Sequence, residues 1–330
     1  MRILETEDIK YNLIKQIGSG ATCSVYKGHP VEDPSKLFAI KIYSEQCKKY
    51  FEKELLIHEL ISKSNLFISL FKSGTGYLHY QEESLFNNEI YELNKVYYEI
   101  EEIAENGELF NFVYELNKGF NEKISAKIFV ELLKSLRILH KKGIIHGDIK
   151  PENVLIGNDF NIKLIDFGYS EKCGKNNLIN STVGSDTYCA PEIRKAHLQE
   201  YDGCKSDIFS LGVLLFVIRV CKFPFNVSAS FDKRYRLIMY RNYQEFWQEF
   251  EKDNLPEDFK DLINHLICYD PSERFSIDEI LEHPWIKNNT NYINDKNNEI
   301  NEENNSRNII DDDVVEELKK RRNYMDKKMR

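Results

Sequence analysis

His146-Gly147-Asp148-Ile149-Lys150-Pro151-Glu152-Asn153, with Asp166-Phe167-Gly168 one short strand–loop–strand further on, decides how this chain is read. Moving a phosphoryl group asks for a carboxylate that orients an attacking hydroxyl, oxygen ligands for a metal ion, and a cation that offsets phosphate charge. Asp148 suits the first task, Asn153 and Asp166 the second, and Lys150 the third. Chance would rarely set both segments in this order at this spacing.

Two upstream stretches carry weaker signals. Gly18-Ser19-Gly20-Ala21-Thr22-Cys23-Ser24-Val25 lies between two strand-like runs. Glycines there let the backbone lie close over phosphates and offer N–H donors to them. By itself the stretch reads as an ordinary hairpin, and Cys23 stands where the third glycine of G-x-G-x-x-G belongs. In Phe38-Ala39-Ile40-Lys41 a lysine sits in an apolar strand, where burial is costly unless its charge is paired. The plain alternative is a surface lysine that snorkels to water. Glu54 is the expected helix partner, because Glu54, Ile57 and Ile61 share a face; Glu59 is the second choice.

Further motifs follow: Ala190-Pro191-Glu192, Ser206-Asp207-Ile208-Phe209-Ser210-Leu211-Gly212, Asp270-Pro271-Ser272-Glu273-Arg274 and His283-Pro284-Trp285. With these, the chain from Tyr11 to Lys287 resembles the eukaryotic protein kinases. Lys150 within Asp-x-Lys-Pro-Glu-Asn, with Gly184-Ser185 ahead of Ala190, resembles the serine/threonine branch. Glu108-Leu109-Phe110 and the His-Pro-Trp ending look closest to the calcium/calmodulin-dependent-type kinases. The sequence has no EF-hand loop, so calcium control would be external.

The resemblance implies an α+β, bilobal fold: a small antiparallel β-rich N-lobe with one main helix (about 11–102) and a larger, mostly α-helical C-lobe (about 106–287). Residues 1–10 would be an N-terminal extension and 288–330 a polar tail. It implies ATP and Mg²⁺ as cofactors and protein serine or threonine hydroxyls as acceptors. Asp148 and Lys150 would be catalytic, and Asn153 and Asp166 would hold the magnesium. Nucleotide contacts would come from Ile17, Gly18, Ser19, Gly20, Ala21, Val25, Ala39, Lys41, Glu54, Glu102, Ala104, Glu108, Asn153, Leu155 and Asp166. By the same resemblance Asp207 would brace the catalytic-loop backbone, Arg274 would pair with Glu192, and Ser185 would bond near Asp148 and Lys150.

Three residues depart from the pattern. Gly147 replaces an arginine that pairs with a phosphorylated activation-loop residue, and glycine has no side chain to do so. Activity is therefore expected without phosphorylation of Ser181 or Thr182. Cys23 is expected to alter nucleotide affinity rather than abolish activity. Glu101 aligns just before the hinge, where an apolar residue or threonine is usual, so its carboxylate needs a partner or a raised pKa. These three support a competing reading, a nucleotide-binding scaffold without catalysis; Lys41, Asp148, Asn153 and Asp166 oppose it. A small-molecule phosphotransferase is disfavoured by Ala190-Pro191-Glu192 and Arg274. Glu108 and Glu152 match positions that contact an arginine in basophilic relatives, so a basic residue three places before the Ser/Thr is expected. A third such position is Val217 here.

Composition agrees. With 42% hydrophobic and 12% aromatic residues, the 330-residue chain can bury a substantial core. A net charge of −9 argues against nucleic acid as a partner. Seven scattered cysteines with no C-x-x-C pair read as reduced thiols of a cytoplasmic protein. The N-terminus MRILETEDIK shows no apolar signal core, and the most apolar run, Leu211–Cys221, is too short to span a bilayer and reads as a buried helix. A monomer off the membrane is expected.

Strands are expected at Tyr11–Gly18, Cys23–Gly28, Leu37–Ile42, Ile68–Lys72 and Lys95–Ile103, with Ser73–Asn94 as an ordered insertion. Helices are expected at Phe51–Ser62, Glu108–Lys118, Ser125–Lys142 and Ile309–Arg330. Within the last, Lys319-Lys320-Arg321-Arg322-Asn323-Tyr324-Met325 reads either as a solvated or partner-binding helix end or as a segment lying in the acidic substrate groove.

Overall fold

A computed structural model describes residues 2–61, 63–81, 90–182, 184–290 and 312–328, with the backbone alone at 80, 81 and 90–93. They fall into two compact units, Met1–Glu105 and Asn106–Arg330.

Period-two patterning builds the first unit. Strands β1 (Arg2–Glu5), β2 (Lys10–Ser19), β3 (Cys23–Pro30) and β4 (Phe38–Ser44) precede helix α1 (Lys48–Ile61), and β5 (Leu70–Gln81) and β6 (Ile90–Glu102) follow it. The six strands pair antiparallel and close on themselves in the order β1-β2-β3-β4-β6-β5. Alternate residues point inward. Ile40 and Ile42 of β4 and Val96, Tyr98 and Ile100 of β6 meet Leu4, Tyr11, Leu13, Tyr26 and Leu78 there. Each such side chain taken out of water contributes about 1.5–3 kcal/mol. The residues between them, Lys41 and Tyr43 on β4 and Glu99 and Glu101 on β6, lie on the opposite face, with Lys41 in register with Glu99. Helix α1 packs on that face with Phe51, Glu54, Ile57, His58 and Ile61 buried.

Two expectations change here. Residues 2–5 are a strand of the barrel, pairing with both β2 and β5, rather than an extension ahead of it. Much of the expected insertion is the body of a long β5–β6 hairpin; its middle, 82–89, lies outside the described residues.

The second unit is mostly helical: α2 (Leu109–Tyr114), α3 (Glu122–Lys141), α4 (Gly203–Val220), α5 (Lys233–Met239), α6 (Tyr243–Gln248), α7 (Glu257–Leu266), α8 (Ile277–Glu282), α9 (Pro284–Asn289) and α10 (Asp312–Lys328). Short strands β7 (Ile144–Ile145), β8 (Val154–Ile156), β9 (Ile162–Leu164), β10 (Glu171–Lys172), β11 (Leu178–Ile179) and β12 (Tyr201–Asp202) pair in twos. The α2 helix is shorter than its expected span of 108–118. Asn121 caps α3 by accepting from Ile124 N at 2.9 Å, and its apolar stripe (Ile124, Ile128, Leu132, Leu136, Leu139) is buried. The α4 helix is apolar nearly all round and buried to match, with Asp202 capping it through Lys205 N at 3.1 Å. Val217 is fully buried within α4, so it presents nothing to a substrate. No helix of the described residues is long and apolar enough to cross a membrane.

Helix α10 packs on α2 and α3. Val314, Leu318, Arg321 and Met325 form its buried stripe. The Arg321 guanidinium donates to the carbonyls of Phe112 (2.8 Å), Lys118 (2.7 Å) and Gly119 (2.8 Å), pairs with Glu317, and lies 3.7 Å over the Phe120 ring. Lys319 lies over the Phe160 ring, and Arg322 donates to the Asn106 carbonyl at 3.2 Å. Among the described residues the basic run makes no hydrogen bond or ion pair with Glu108 or Glu152, and its Arg321 is packed against α2 and the loop ahead of α3. Of the expected polar tail at 288–330, residues 291–311 lie outside the described residues.

Candidate active site

The β8–β9 hairpin sets the geometry of the second unit's chemistry. Asn153 immediately precedes β8, and Ile165 N donates to the Asn153 carbonyl at 3.0 Å, so Asp166 leaves β9 at the end of the hairpin where Asn153 enters. Their side chains, a carbonyl oxygen and a carboxylate, are the hard oxygen donors that suit Mg²⁺. Asp166 has a φ of +67°, held by Gly168 N donating to its Oδ1 at 3.2 Å.

Asp148 is almost fully buried and caged by donors. Its Oδ1 accepts from Ser185 N (3.1 Å) and Ser185 Oγ (2.8 Å), and its Oδ2 from Lys150 Nζ (2.6 Å) and Asn153 Nδ2 (2.9 Å). Lys150 Nζ also reaches Ser185 Oγ at 2.9 Å, and Asn153 Nδ2 reaches the Asp148 carbonyl at 2.8 Å. One carboxylate, one ammonium and one amide are thus fixed within a single network. The loop that carries them is held from α4, where Asp207 accepts from His146 N (2.9 Å) and Gly147 N (3.0 Å) and meets His140 Nε2 at 2.8 Å. Gly147 has a φ of +80°, and a Cβ there would lie 2.9 Å from the Tyr169 carbonyl. Arg274, fully buried, forks onto Glu192 with bonds of 2.5 and 2.8 Å and also bonds the carbonyls of Cys268 and Lys205.

In the first unit, Gly18 pairs with Val25 and Ser19 with Ser24 at the tip of the β2–β3 hairpin, and Gly20 N closes the turn on the Cys23 carbonyl at 2.9 Å. Ile17, Ser19, Gly20 and Ala21 are exposed there. Lys41 is buried and paired with Glu54, with Glu101 3.4 Å away. Burial works against the ammonium, but Glu101 and Glu54 outweigh it and hold its pKa well above the ordinary lysine value. Glu59 faces outward, so Glu54 is the partner.

The protein kinase domain family matches residues 11–286. This chain belongs to the protein kinase family. It is 32% identical over 288 residues to the serine/threonine-protein kinase cds1 of Schizosaccharomyces pombe, covering 86% of this chain and 60% of that one. The serine/threonine-protein kinase chk1 of the same yeast is 28% identical over 297 residues, with 86% of this chain and 55% of that one covered. Calcium/calmodulin-dependent protein kinase type 1 of Caenorhabditis briggsae is 28% identical over 297 residues, with 87% and 75% covered. The chain thus spans little more than half the length of the two yeast proteins.

Within this kinase domain the expected nucleotide residues are divided between the units. Ile17 to Val25, Ala39, Lys41, Glu54, Glu102 and Ala104 lie in the first; Glu108, Asn153, Leu155 and Asp166 lie in the second. Glu102 accepts from Ser69 Oγ at 3.1 Å, and Glu108 forms a β-bridge with Leu155. Glu101 has the partners it needs: burial pushes its carboxyl up, but Lys41 and His58 outweigh that and bring it below the ordinary range. The kinase reading did not single out His58, Glu99 or Tyr43. His58 lies 3.3 Å from Glu101, and Tyr43 donates to Glu54 at 2.7 Å and to Glu99 at 3.4 Å. Burial, then the charge of Glu54, pushes the Glu99 carboxyl up to about 9. An i,i+2 pair of glutamates on β6 and an i,i+4 Glu/His pair on α1 were the available signals.

Proposed function

We propose that the chain is a serine/threonine protein kinase that transfers the γ-phosphoryl group of ATP to protein hydroxyls. The observation that carries this is the Asp148 cage, in which a carboxylate is fixed in orientation by Lys150, Asn153 and Ser185. Asp148 orients the acceptor hydroxyl and takes its proton as the new P–O bond forms and the bond to the leaving diphosphate breaks. Lys150 offsets charge on the moving group, and Lys41, steadied by Glu54, holds the α/β-phosphates. Asn153 and Asp166 would hold Mg²⁺, which when bound neutralises phosphate charge. The relatives are named as serine/threonine and calcium/calmodulin-dependent protein kinases, which agrees with this activity.

Substrates with arginine before the acceptor fit the site. Burial and mutual repulsion raise the Glu108 carboxyl, with Lys150 opposing; burial likewise raises Glu152, whose Oε2 accepts no hydrogen bond among the described residues. A guanidinium would answer both. Activation-loop phosphorylation is not required on this reading, because Gly147 offers no arginine; alanine at Ser181 and Thr182 leaves turnover in place. A cytoplasmic protein is in keeping with seven free cysteines.

The test is phosphate transfer from Mg-ATP to a mixed Ser/Thr and Tyr peptide pool by wild type and by Asp148→Asn. Transfer to Ser/Thr that falls by about a hundredfold or more in the variant supports the assignment. ATP binding without transfer by either protein would favour the scaffold reading.

A further inference from the structure

Glu54 and His58 are i and i+4 on α1, hence on one face of the helix; Glu99 and Glu101 are i and i+2 on β6, hence on one face of the sheet. The helix packs on that face, and the four side chains converge: one ligand atom from each lies within 4.8 Å of all the others, and all four residues are buried. Among the described residues this is the one grouping of three or more His, Cys, Asp or Glu with such geometry. We propose that these four residues form a second cation site, confined to the first unit, whose ligand is a zinc ion.

Three observations support it. Glu99 is completely buried, and its Oε1 accepts no hydrogen bond among the described residues, so an acceptor points into the cluster without a donor. Such an atom is costly to leave unmet in a dry interior. Charge is the second. Three carboxyl groups crowd around a single ammonium, Lys41, which pairs with Glu54 and Glu101 and leaves Glu99 without a cation. A divalent cation would displace the Glu99 proton and answer the crowded carboxyl oxygens in a dry interior. Donor chemistry is the third. One imidazole with carboxylates is a zinc set, whereas Mg²⁺ prefers oxygen ligands and keeps much of its water. Zinc–ligand bonds of about 2.0–2.2 Å require the side chains to close inward by roughly 1 Å, which carboxylate rotation supplies.

The site is separate from Asn153 and Asp166 and rests on the first unit alone, so it stands whether or not the chain is a kinase. Its consequence for a kinase is direct. Zinc draws Glu54 and Glu101 away from Lys41 and so loosens the residue that holds the nucleotide phosphates. Bound zinc is therefore inhibitory, and chelation restores activity.

The experiment uses the full chain stripped of metal by a chelator. Zn²⁺ is titrated by calorimetry, and Co²⁺ is titrated in parallel as a spectroscopic probe. Wild type is expected to take up one equivalent, and Glu99→Gln and His58→Gln each to weaken binding about tenfold or more. Cobalt is expected to show the ligand-field bands of nitrogen and oxygen ligation without a thiolate charge-transfer band. Absence of saturable uptake, a thiolate band pointing to the cysteines, or wild-type affinity in both variants would each overturn the proposal. Circular-dichroism melting without metal checks that the variants fold. Should they not, the wild-type stoichiometry and cobalt spectrum decide alone.

Discussion

Replacing Arg321 with alanine tests whether α10 is a working part of the second unit. The guanidinium makes three charged hydrogen bonds of 2.7–2.8 Å to backbone carbonyls and covers the Phe120 ring. Bonds to a charged group contribute about 1.5–3 kcal/mol each, but that sum overshoots here. Lys118 is exposed and Gly119 is half-buried, so water replaces the guanidinium at their carbonyls; Phe112 is buried and its carbonyl stays dry. One stranded carbonyl, the lost ring contact and the lost Glu317 pair come to about 3 kcal/mol. That is a change of about 150-fold in the docking equilibrium. A free helix of this length is marginal in water, so undocking also melts it. Hydrogen exchange followed by mass spectrometry should show amides of 312–328 exchanging about 150-fold faster in Arg321→Ala, with α3 and α4 unchanged. Exchange on α10 that is already unprotected in wild type, or that does not respond to the substitution, would refute the reasoning.

Further predictions concern the second unit. Gly147→Ala places a Cβ against the Tyr169 carbonyl at positive φ, so it should cost about 1–2 kcal/mol in thermal unfolding and lower kcat by shifting Asp148. Arg274→Lys cannot reproduce the forked pair with Glu192 and should destabilise by about 3 kcal/mol, seen as a lowered Tm. Burial raises the Glu152 and Glu108 carboxyls from their ordinary value, and only their ionised forms attract arginine. Lower pH protonates them, so KM for an arginine-containing peptide should fall as pH rises through and above the ordinary glutamate value. KM for the arginine-to-alanine peptide should stay flat, and Glu152→Gln should remove most of the difference.

The catalytic loop was legible because its residues are contiguous: Asp148, Lys150 and Asn153 lie within six positions and carry their meaning locally. Asp207 and Arg274 were legible only through resemblance, since nothing near them names their partners. The expectation of an insertion at Ser73–Asn94 stopped β5 too early, because a hairpin connection of that length is unusual and the strands themselves continue into it. Gly76 leaves room for β1, because a Cβ there would lie 2.6 Å from the Glu5 carbonyl. Helix α10 hid its seam because Arg321 occupies a buried position between Leu318 and Met325, where a pattern search expects an apolar residue. The cluster of Glu54, His58, Glu99 and Glu101 was invisible for another reason. It exists only once a helix face meets a sheet face, and sequence spacing reports each face alone.

The strand Arg2–Glu5 has a consequence for how the molecule behaves among its own copies. Where β1 lies between them, Lys10–Leu13 of β2 and Tyr77–Tyr80 of β5 offer no row of unpaired amides and carbonyls to which a second chain could add a strand. Removing residues 2–5 would uncover β2 and β5 together, turning a protected ring into a template for intermolecular pairing. Shortened versions of the chain should therefore be sticky before they are unstable.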